Sequence, residues 1–332
     1  MRLNQDSLHK PFAHVYVEES VMDYPDTKAI LTHFDKSVII PIRHYKDVFN
    51  RPRQNVALQS KCRNLILAQN TGAKLFMGAP VCQDFGYDNF MYTASVQGCI
   101  YNCDYCFLKG MYATGNVVIF VNFEDYVKDV LEACAKEPVY LCASYDTDLQ
   151  ALRGIIDYSD RWARLAARTP NLTVEIRTKA AKADFIPHER VIYAFSISPD
   201  EIVSKYEHGT ASLDRRISNV VEACEMGCQV RLCFDPMVYT RDYEACYNSM
   251  MDKVLERVDF GAIKDVSIGT VRISSDYIKK FRRISPDSAA VQFPFEKKEG
   301  YCVYPDALNE KMTGLIRSRL EGVFDNDRIF VD

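Results

Sequence analysis

Three cysteines in the run Gly98-Cys99-Ile-Tyr-Asn-Cys103-Asp-Tyr-Cys106-Phe107 are the residues of this chain best spaced to do chemistry. A C-x3-C-x2-C loop can wrap three thiolates around one corner of an iron–sulfur cubane, and a [4Fe–4S] cluster normally takes four cysteine ligands. One iron is then left open to bind a substrate or cofactor. A structural zinc site would need a fourth Cys or His nearby, and none follows within the next several residues. A second C-x3-C, Cys224-Glu-Met-Gly-Cys228, has Cys233 five residues further on but reads as buried thiols. Cys224 falls on an apolar helical face, Cys228 follows the expected C-cap Gly227, and Cys233 lies in an apolar strand.

The cluster loop follows the first of a series of strand-like segments. Apolar, β-rich runs occur at Phe90–Val96, Val117–Val121, Val139–Ala143, Thr173–Arg177, Val191–Ile197, Val230–Phe234 and Val266–Ile273. Helical patterns lie between several of them. After Asn122, an expected N-cap, Phe123, Tyr126, Val127, Val130, Leu131 and Cys134 share one face, as do Ile217, Val220, Val221 and Cys224 before Gly227. Repeated βα units predict an α/β fold, a partial (β/α)6-type TIM barrel whose site lies at the strands' C-terminal ends. Residues 1–86, without regular alternation, are expected as an N-terminal α/β addition with a basic island, and 276–332, ending in a helical run Ala307–Leu320, as a C-terminal substrate-capping segment, the two flanking a barrel over 87–275.

The 332 residues are 48% hydrophobic and 26% charged, which excludes a largely disordered chain. No apolar run reaches about 18 residues and no charged-then-apolar leader opens the sequence, so a cytoplasmic protein without a membrane partner is expected. Twelve cysteines are too thinly spread for the framework of a small secreted domain. The formal charge of −4 argues against nucleic acid, but its distribution does not. Between Lys36 and Lys74, eight basic residues (Lys36, Arg43, Lys46, Arg51, Arg53, Lys61, Arg63 and Lys74) face one acid, Asp47. Between Tyr277 and Lys298, six more (Lys279, Lys280, Arg282, Arg283, Lys297 and Lys298) face Asp287 and Glu296. These islands read either as a phosphate footprint or as a solvated face.

The cluster loop closely resembles that of the radical S-adenosylmethionine (SAM) enzymes. Most of the chain further resembles the spore photoproduct lyases. The points of likeness are Cys82-Gln-Asp-Phe-Gly86, the cluster loop, Ile119-Phe-Val-Asn122, Cys142-Ala-Ser144-Tyr-Asp146-Thr-Asp148, Arg177-Thr178-Lys179, Phe195-Ser196-Ile197-Ser198, the segment from Glu207-His-Gly to Arg215-Arg216, and Gly300-Tyr301-Cys-Val-Tyr304. Their order and strand-end positions make the match specific.

The resemblance implies a lyase that returns the thymine dimer 5-thyminyl-5,6-dihydrothymine in DNA to two thymines. Cys99, Cys103 and Cys106 would ligate a [4Fe–4S] cluster whose open iron chelates SAM. The reduced cluster, fed by a donor such as a flavodoxin or ferredoxin, would cleave SAM to the 5′-deoxyadenosyl radical. Tyr105 would lie against the adenine, with Ser144, Lys179 and Ser196 holding the carboxylate and ribose. A cysteine would return hydrogen to the product radical: Cys142 by its strand-end position, with Cys82 competing. Phe107 departs from the tyrosine that family members commonly carry after the third cysteine, and it has no O–H to donate. A relay would then run through another tyrosine, with Tyr105, Tyr301 and Tyr304 available, or the chain would be a radical SAM enzyme of the family acting on a different, possibly non-nucleic-acid, substrate.

Overall fold

The computed structural model describes residues 12–79 and 81–332; the first eleven residues of the N-terminal segment and Pro80 lie outside that description. The chain opens with β1 (Phe12–Glu18), α1 (Pro25–Leu31), β2 (Val38–Ile42), α2 (Lys46–Phe49), α3 (Val56–Gln59) and β3 (Arg63–Ala68). β2 and β3 both pair with β1 in parallel. Strands and helices thus alternate in this α/β segment although its sequence shows no regular pattern. Helices of four to seven residues are too short to print a recognisable 3.6-residue stripe.

Next come β4 (Leu75–Met77), β5 (Phe90–Thr93), β6 (Val96–Gln97), β7 (Asn102–Cys103), α4 (Leu108–Met111), β8 (Val117–Phe120) and α5 (Phe123–Cys134). Then β9 (Val139–Cys142), α6 (Tyr158–Arg168), β10 (Leu172–Thr178), β11 (Val191–Ser196), α7 (Asp200–Tyr206), β12 (Glu207–His208), α8 (Leu213–Glu225), β13 (Gln229–Met237), α9 (Tyr243–Arg257) and β14 (Ile263–Thr270) follow. The chain finishes with β15 (Ile273–Ser274), α10 (Ile278–Ile284), α11 (Ala289–Gln292), β16 (Glu296–Lys298), β17 (Tyr301–Val303), α12 (Asp306–Leu320) and β18 (Ile329–Val331).

The long sheet runs β18-β14-β13-β11-β10-β9-β5-β4. Its six central strands, β5, β9, β10, β11, β13 and β14, are parallel to their neighbours, as the (β/α)6 reading requires. The sheet does not close: β4 caps one end antiparallel to β5, and β18 extends the other. Strands β9 and β11 are buried at every residue, which is why both read as unbroken apolar runs. The run Val117–Phe120 is a strand, but it leaves this sheet and pairs with β3 and β6. Asn122 holds the cap position of α5, yet its side chain is spent on the Asn70 backbone and Asp125. Helix α8 ends at Glu225 with Met226 as its cap, and Gly227 follows with φ +76°, one position beyond the C-cap expected there.

Candidate active site

The C-terminal ends of five parallel strands, marked by Cys142, Thr178, Ser196, Asp235 and Thr270, meet at a cavity of about 500 Å³. The cluster loop forms its other wall. Gly98 opens that loop at φ +86°, and a Cβ there would lie 2.5 Å from the Asn116 carbonyl oxygen. Cys103 sits in β7, which pairs antiparallel with β12 so that Glu207 faces Cys103 and His208 faces Asn102. The Asp104 amide adds a bond to the Tyr206 carbonyl at 2.8 Å, and buried Arg63 donates to the Tyr101 carbonyl at 3.0 Å.

Cys99, Cys103 and Cys106 all line the cavity. Amides of Tyr101 and Leu108 donate to the sulfurs of Cys99 and Cys106. Burial pushes all three thiols up, so metal binding would have to displace their protons. Among the described residues no three His, Cys, Asp or Glu side chains stand close enough to hold a single metal ion. In a cubane each thiolate binds a different iron, so the ligands stand farther apart than around one ion. Three loop cysteines facing one cavity, with no histidine in its wall, suit that arrangement.

The expected SAM contacts Tyr105, Ser144, Lys179 and Ser196 share this cavity. Tyr105 and Lys179 share an anchor to which sequence reasoning gave no role, Glu207. It is 1% exposed and accepts bonds from the Tyr105 hydroxyl, Lys179 Nζ (2.8 Å), the Ser198 hydroxyl (2.9 Å) and Arg216. Burial alone would raise this carboxyl, but Lys179 and Arg216 outweigh it and hold Glu207 well below the usual carboxylate range. Lys179 Nζ also meets the Tyr105 hydroxyl at 2.7 Å, which leaves one ammonium donor for a ligand. The Ser144 hydroxyl bonds both the amide (2.7 Å) and the carbonyl (3.1 Å) of Arg177, tying β9 to β10. Asp148 accepts from the Lys179 amide at 2.7 Å and Thr178 Oγ1 at 2.9 Å.

Cys142 and Cys82 line the same cavity. Cys142 Sγ faces Glu175 Oε1 at 3.9 Å, while Cys82 Sγ lies 3.5 Å from the Tyr145 hydroxyl. Beneath Cys142, Glu175 takes bonds from Arg231 (2.5 Å), Tyr140 (2.5 Å) and Arg177 (3.2 Å), and Arg231 also pairs with Asp265. Burial would raise Glu175, yet Arg177 and Arg231 bring it down to about 2.

The remaining sequence expectations divide. Tyr301 lines the cavity, whereas Tyr304 is outside its lining and receives the Tyr239 amide at 3.0 Å. Cys224 is half-buried, and Cys228 and Cys233 are buried. Both basic islands abut the segment after the cluster loop: Gln59 receives Thr114 Oγ1, and Lys280 donates to the Gly110 and Tyr112 carbonyls. Not all of their charges are free. Arg63 and Lys280 are held by these backbone carbonyls, and Arg282 donates to the Val291 and Phe293 carbonyls at 3.1 and 2.9 Å.

An open sheet of six parallel strands with a three-cysteine loop facing its C-terminal mouth defines the class of the radical SAM enzymes. Within that class the spore photoproduct lyase family pattern matches residues 10–288. The chain belongs to that family and is a radical SAM lyase. It is 22% identical over 256 residues to the spore photoproduct lyase of Bacillus subtilis (strain 168), covering 72% of each chain. Its fold matches a solved spore photoproduct lyase complexed with dinucleoside spore photoproduct, with TM-score 0.80, 16% identity and coverage of 97% and 98% of the two chains. A mutant lyase with bound AdoMet and dinucleoside spore photoproduct matches with TM-score 0.79 at the same identity and coverage. Among the described residues no helix is long and apolar enough to cross a membrane.

Proposed function

We propose that this chain cleaves the spore photoproduct in DNA back to two thymines. The observation that carries the reading is the convergence of the three loop cysteines, Tyr105, Lys179, Ser196 and two further thiols on one cavity at the strand ends, in a chain of this family. Cys99, Cys103 and Cys106 would hold a [4Fe–4S] cluster beside SAM, which together supply the abstraction of a hydrogen atom from the dimer.

The chain's own residues do the rest. Lys179, kept protonated against the pull of burial by the Glu207 carboxylate, offers its remaining donor to a carboxylate. Ser144 keeps one lone pair for an amino group or ribose hydroxyl, and the Ser196 hydroxyl makes no hydrogen bond among the described residues. Tyr105 presents a ring fixed at its hydroxyl end. Once the bridge between the thymines has broken, a cavity thiol, Cys142 or Cys82, gives the product its last hydrogen. A dimerised step is poorly stacked, so extruding it into the cavity costs less than for a normal step.

Anaerobic reconstitution with iron and sulfide, followed by reductant, SAM and the dinucleotide photoproduct, should yield thymidine. Alanine at Cys99, Cys103 or Cys106 should abolish SAM cleavage in each case, while alanine at Cys224, Cys228 or Cys233 should leave the cluster's absorbance intact. A fully loaded enzyme that cleaves SAM but leaves the dimer whole would favour the reading in which a different substrate fills the cavity.

A further inference from the structure

The charged side chains of the cavity wall differ in how far they are already spoken for. Lys179 is held by Glu207 and Tyr105, and Asp148 by the Thr178 hydroxyl and the Lys179 amide. Arg272 donates to the Val81 carbonyl at 2.6 Å and pairs with Asp332 at 3.5 Å, while Gln83 donates to the same Asp332 at 3.3 Å. Arg177 and Asp235, at the C-terminal ends of β10 and β13, are the exception. Both line the cavity, with 31% and 24% of their side chains exposed. Arg177 Nε donates to Glu175 at 3.2 Å and Nη1 to Asp235 Oδ2 at 3.4 Å, so two of its five N–H donors are used and three remain. That contact from Arg177 is the one hydrogen bond the Asp235 carboxylate makes among the described residues. A Cβ at Gly269 would come within 3.4 Å of Asp235 Oδ1, so the bare glycine of β14 leaves that oxygen clear of a side chain.

An ionised carboxylate only accepts and a guanidinium only donates. Standing side by side on one cavity, the two present an acceptor next to a set of donors. The edge of a thymine ring is the complement, because its N3–H donates and the C2 and C4 carbonyls on either side accept. We propose that Arg177 and Asp235 form an imide-reading subsite, in which Asp235 accepts the N3–H of one ring of the photoproduct and Arg177 donates to the adjoining carbonyl. The subsite deepens, and rests on, the reading of this cavity as the place of the thymine dimer. Both rings of 5-thyminyl-5,6-dihydrothymine keep the imide. A cytosine ring has instead a bare N3 acceptor, and would set its lone pair against the carboxylate and leave a charge-assisted bond unmade. The subsite therefore restricts the enzyme to products in which that ring is a thymine.

Binding of methylated ligands tests the subsite. Anaerobic titration calorimetry on the cluster-loaded protein with SAM, and without reductant, gives dissociation constants for the dinucleoside photoproduct and for its forms methylated at N3 of one ring or of the other. Methylation of one of the rings should weaken binding to the wild type about tenfold or more, the range of a lost hydrogen bond to a charged group. In Asp235→Ala that penalty should shrink to about twofold or less, because no carboxylate is left to miss the proton. Asp235→Asn, of the same size and with an amide oxygen that still accepts, should fall between the two. The penalty is a ratio of two ligands on one protein, so a variant that folds incompletely lowers the bound fraction without altering it. A wild type with no penalty at either ring, or a penalty that survives whole in Asp235→Ala, overturns the subsite and leaves the lyase reading in place. A wild type that binds SAM but not the unmodified photoproduct overturns the lyase reading and the subsite with it.

Discussion

Glu175 shows how much of the site's rigidity rests on one side chain. It is 2% exposed and bonds Arg231, which is fully buried, as well as Arg177 and Tyr140. Glu175→Gln would leave Arg231 with Asp265 as its remaining charge partner, and removing one member of a buried ion pair costs about 3–5 kcal/mol. Urea denaturation of the cluster-free chain should show a loss of that size. The pH dependence carries the same sign. A carboxyl held at about 2 when folded stabilises the fold fully above its unfolded value and loses that contribution as pH falls toward 2, about 3 kcal/mol in all. Asp146 works in the opposite sense: burial raises it to about 6, against the pull of its bond from Tyr112, so its protonation favours the fold as pH falls from about 7 to about 4. From these two carboxyls stability should therefore rise by about 1 kcal/mol from pH 7 to pH 5, stay level to about pH 4 and fall below that. A curve that falls from pH 7 to pH 5 would show that Asp146 is wrongly assigned, and one that keeps rising below pH 4 that Glu175 is.

At the scale of elements, the cluster loop depends on Gly98 and on the two-residue ladder between β7 and β12. Alanine at 98 would meet the Asn116 carbonyl oxygen at 2.5 Å in a left-handed conformation that side chains disfavour. Gly98→Ala should lower the stability of the cluster-free chain by about 1–3 kcal/mol and reduce the iron bound on reconstitution; full iron loading at unchanged stability would contradict the loop geometry. The loop's cysteines were legible because spacing alone reports three thiolates in one turn of chain. The central strands were legible because strands buried on both faces read as apolar runs. What spacing does not report is partnership. Val117–Phe120 is apolar in either sheet, so nothing in it tells that β8 joins β3 rather than β9. Glu207 stands in a polar stretch whose composition suits a surface loop, and only folding brings Lys179, Arg216 and Tyr105 around it. Tyr145 likewise lies within the run from Cys142 to Asp148, but its approach to Cys82, 63 positions earlier, is a product of the fold.

At the scale of the whole molecule, a net charge of −4 must coexist with the proposed grip on DNA, so binding has to rest on a few placed cations. Folding removes some of the candidates: Arg63 is buried, and Lys280 and Arg282 are tied to backbone carbonyls. Arg43, Arg51, Arg53, Lys61, Lys279 and Arg283 remain exposed, in islands that both abut the segment following the cluster loop. Each phosphate that the protein no longer neutralises should flatten the dependence of log K on log salt by about 0.9 on duplex DNA. Neutralising Arg51, Arg53 and Arg283 together should therefore weaken binding of a lesion-bearing oligonucleotide and reduce that slope by about 2–3, measured by fluorescence anisotropy across a salt series. Arg282→Gln is the contrasting case, because its loss frees the Val291 and Phe293 carbonyls and should lower thermal stability while the slope stays as it was. If the triple variant keeps the wild-type slope, the cations are solvated surface and the dimer is held by the cavity alone.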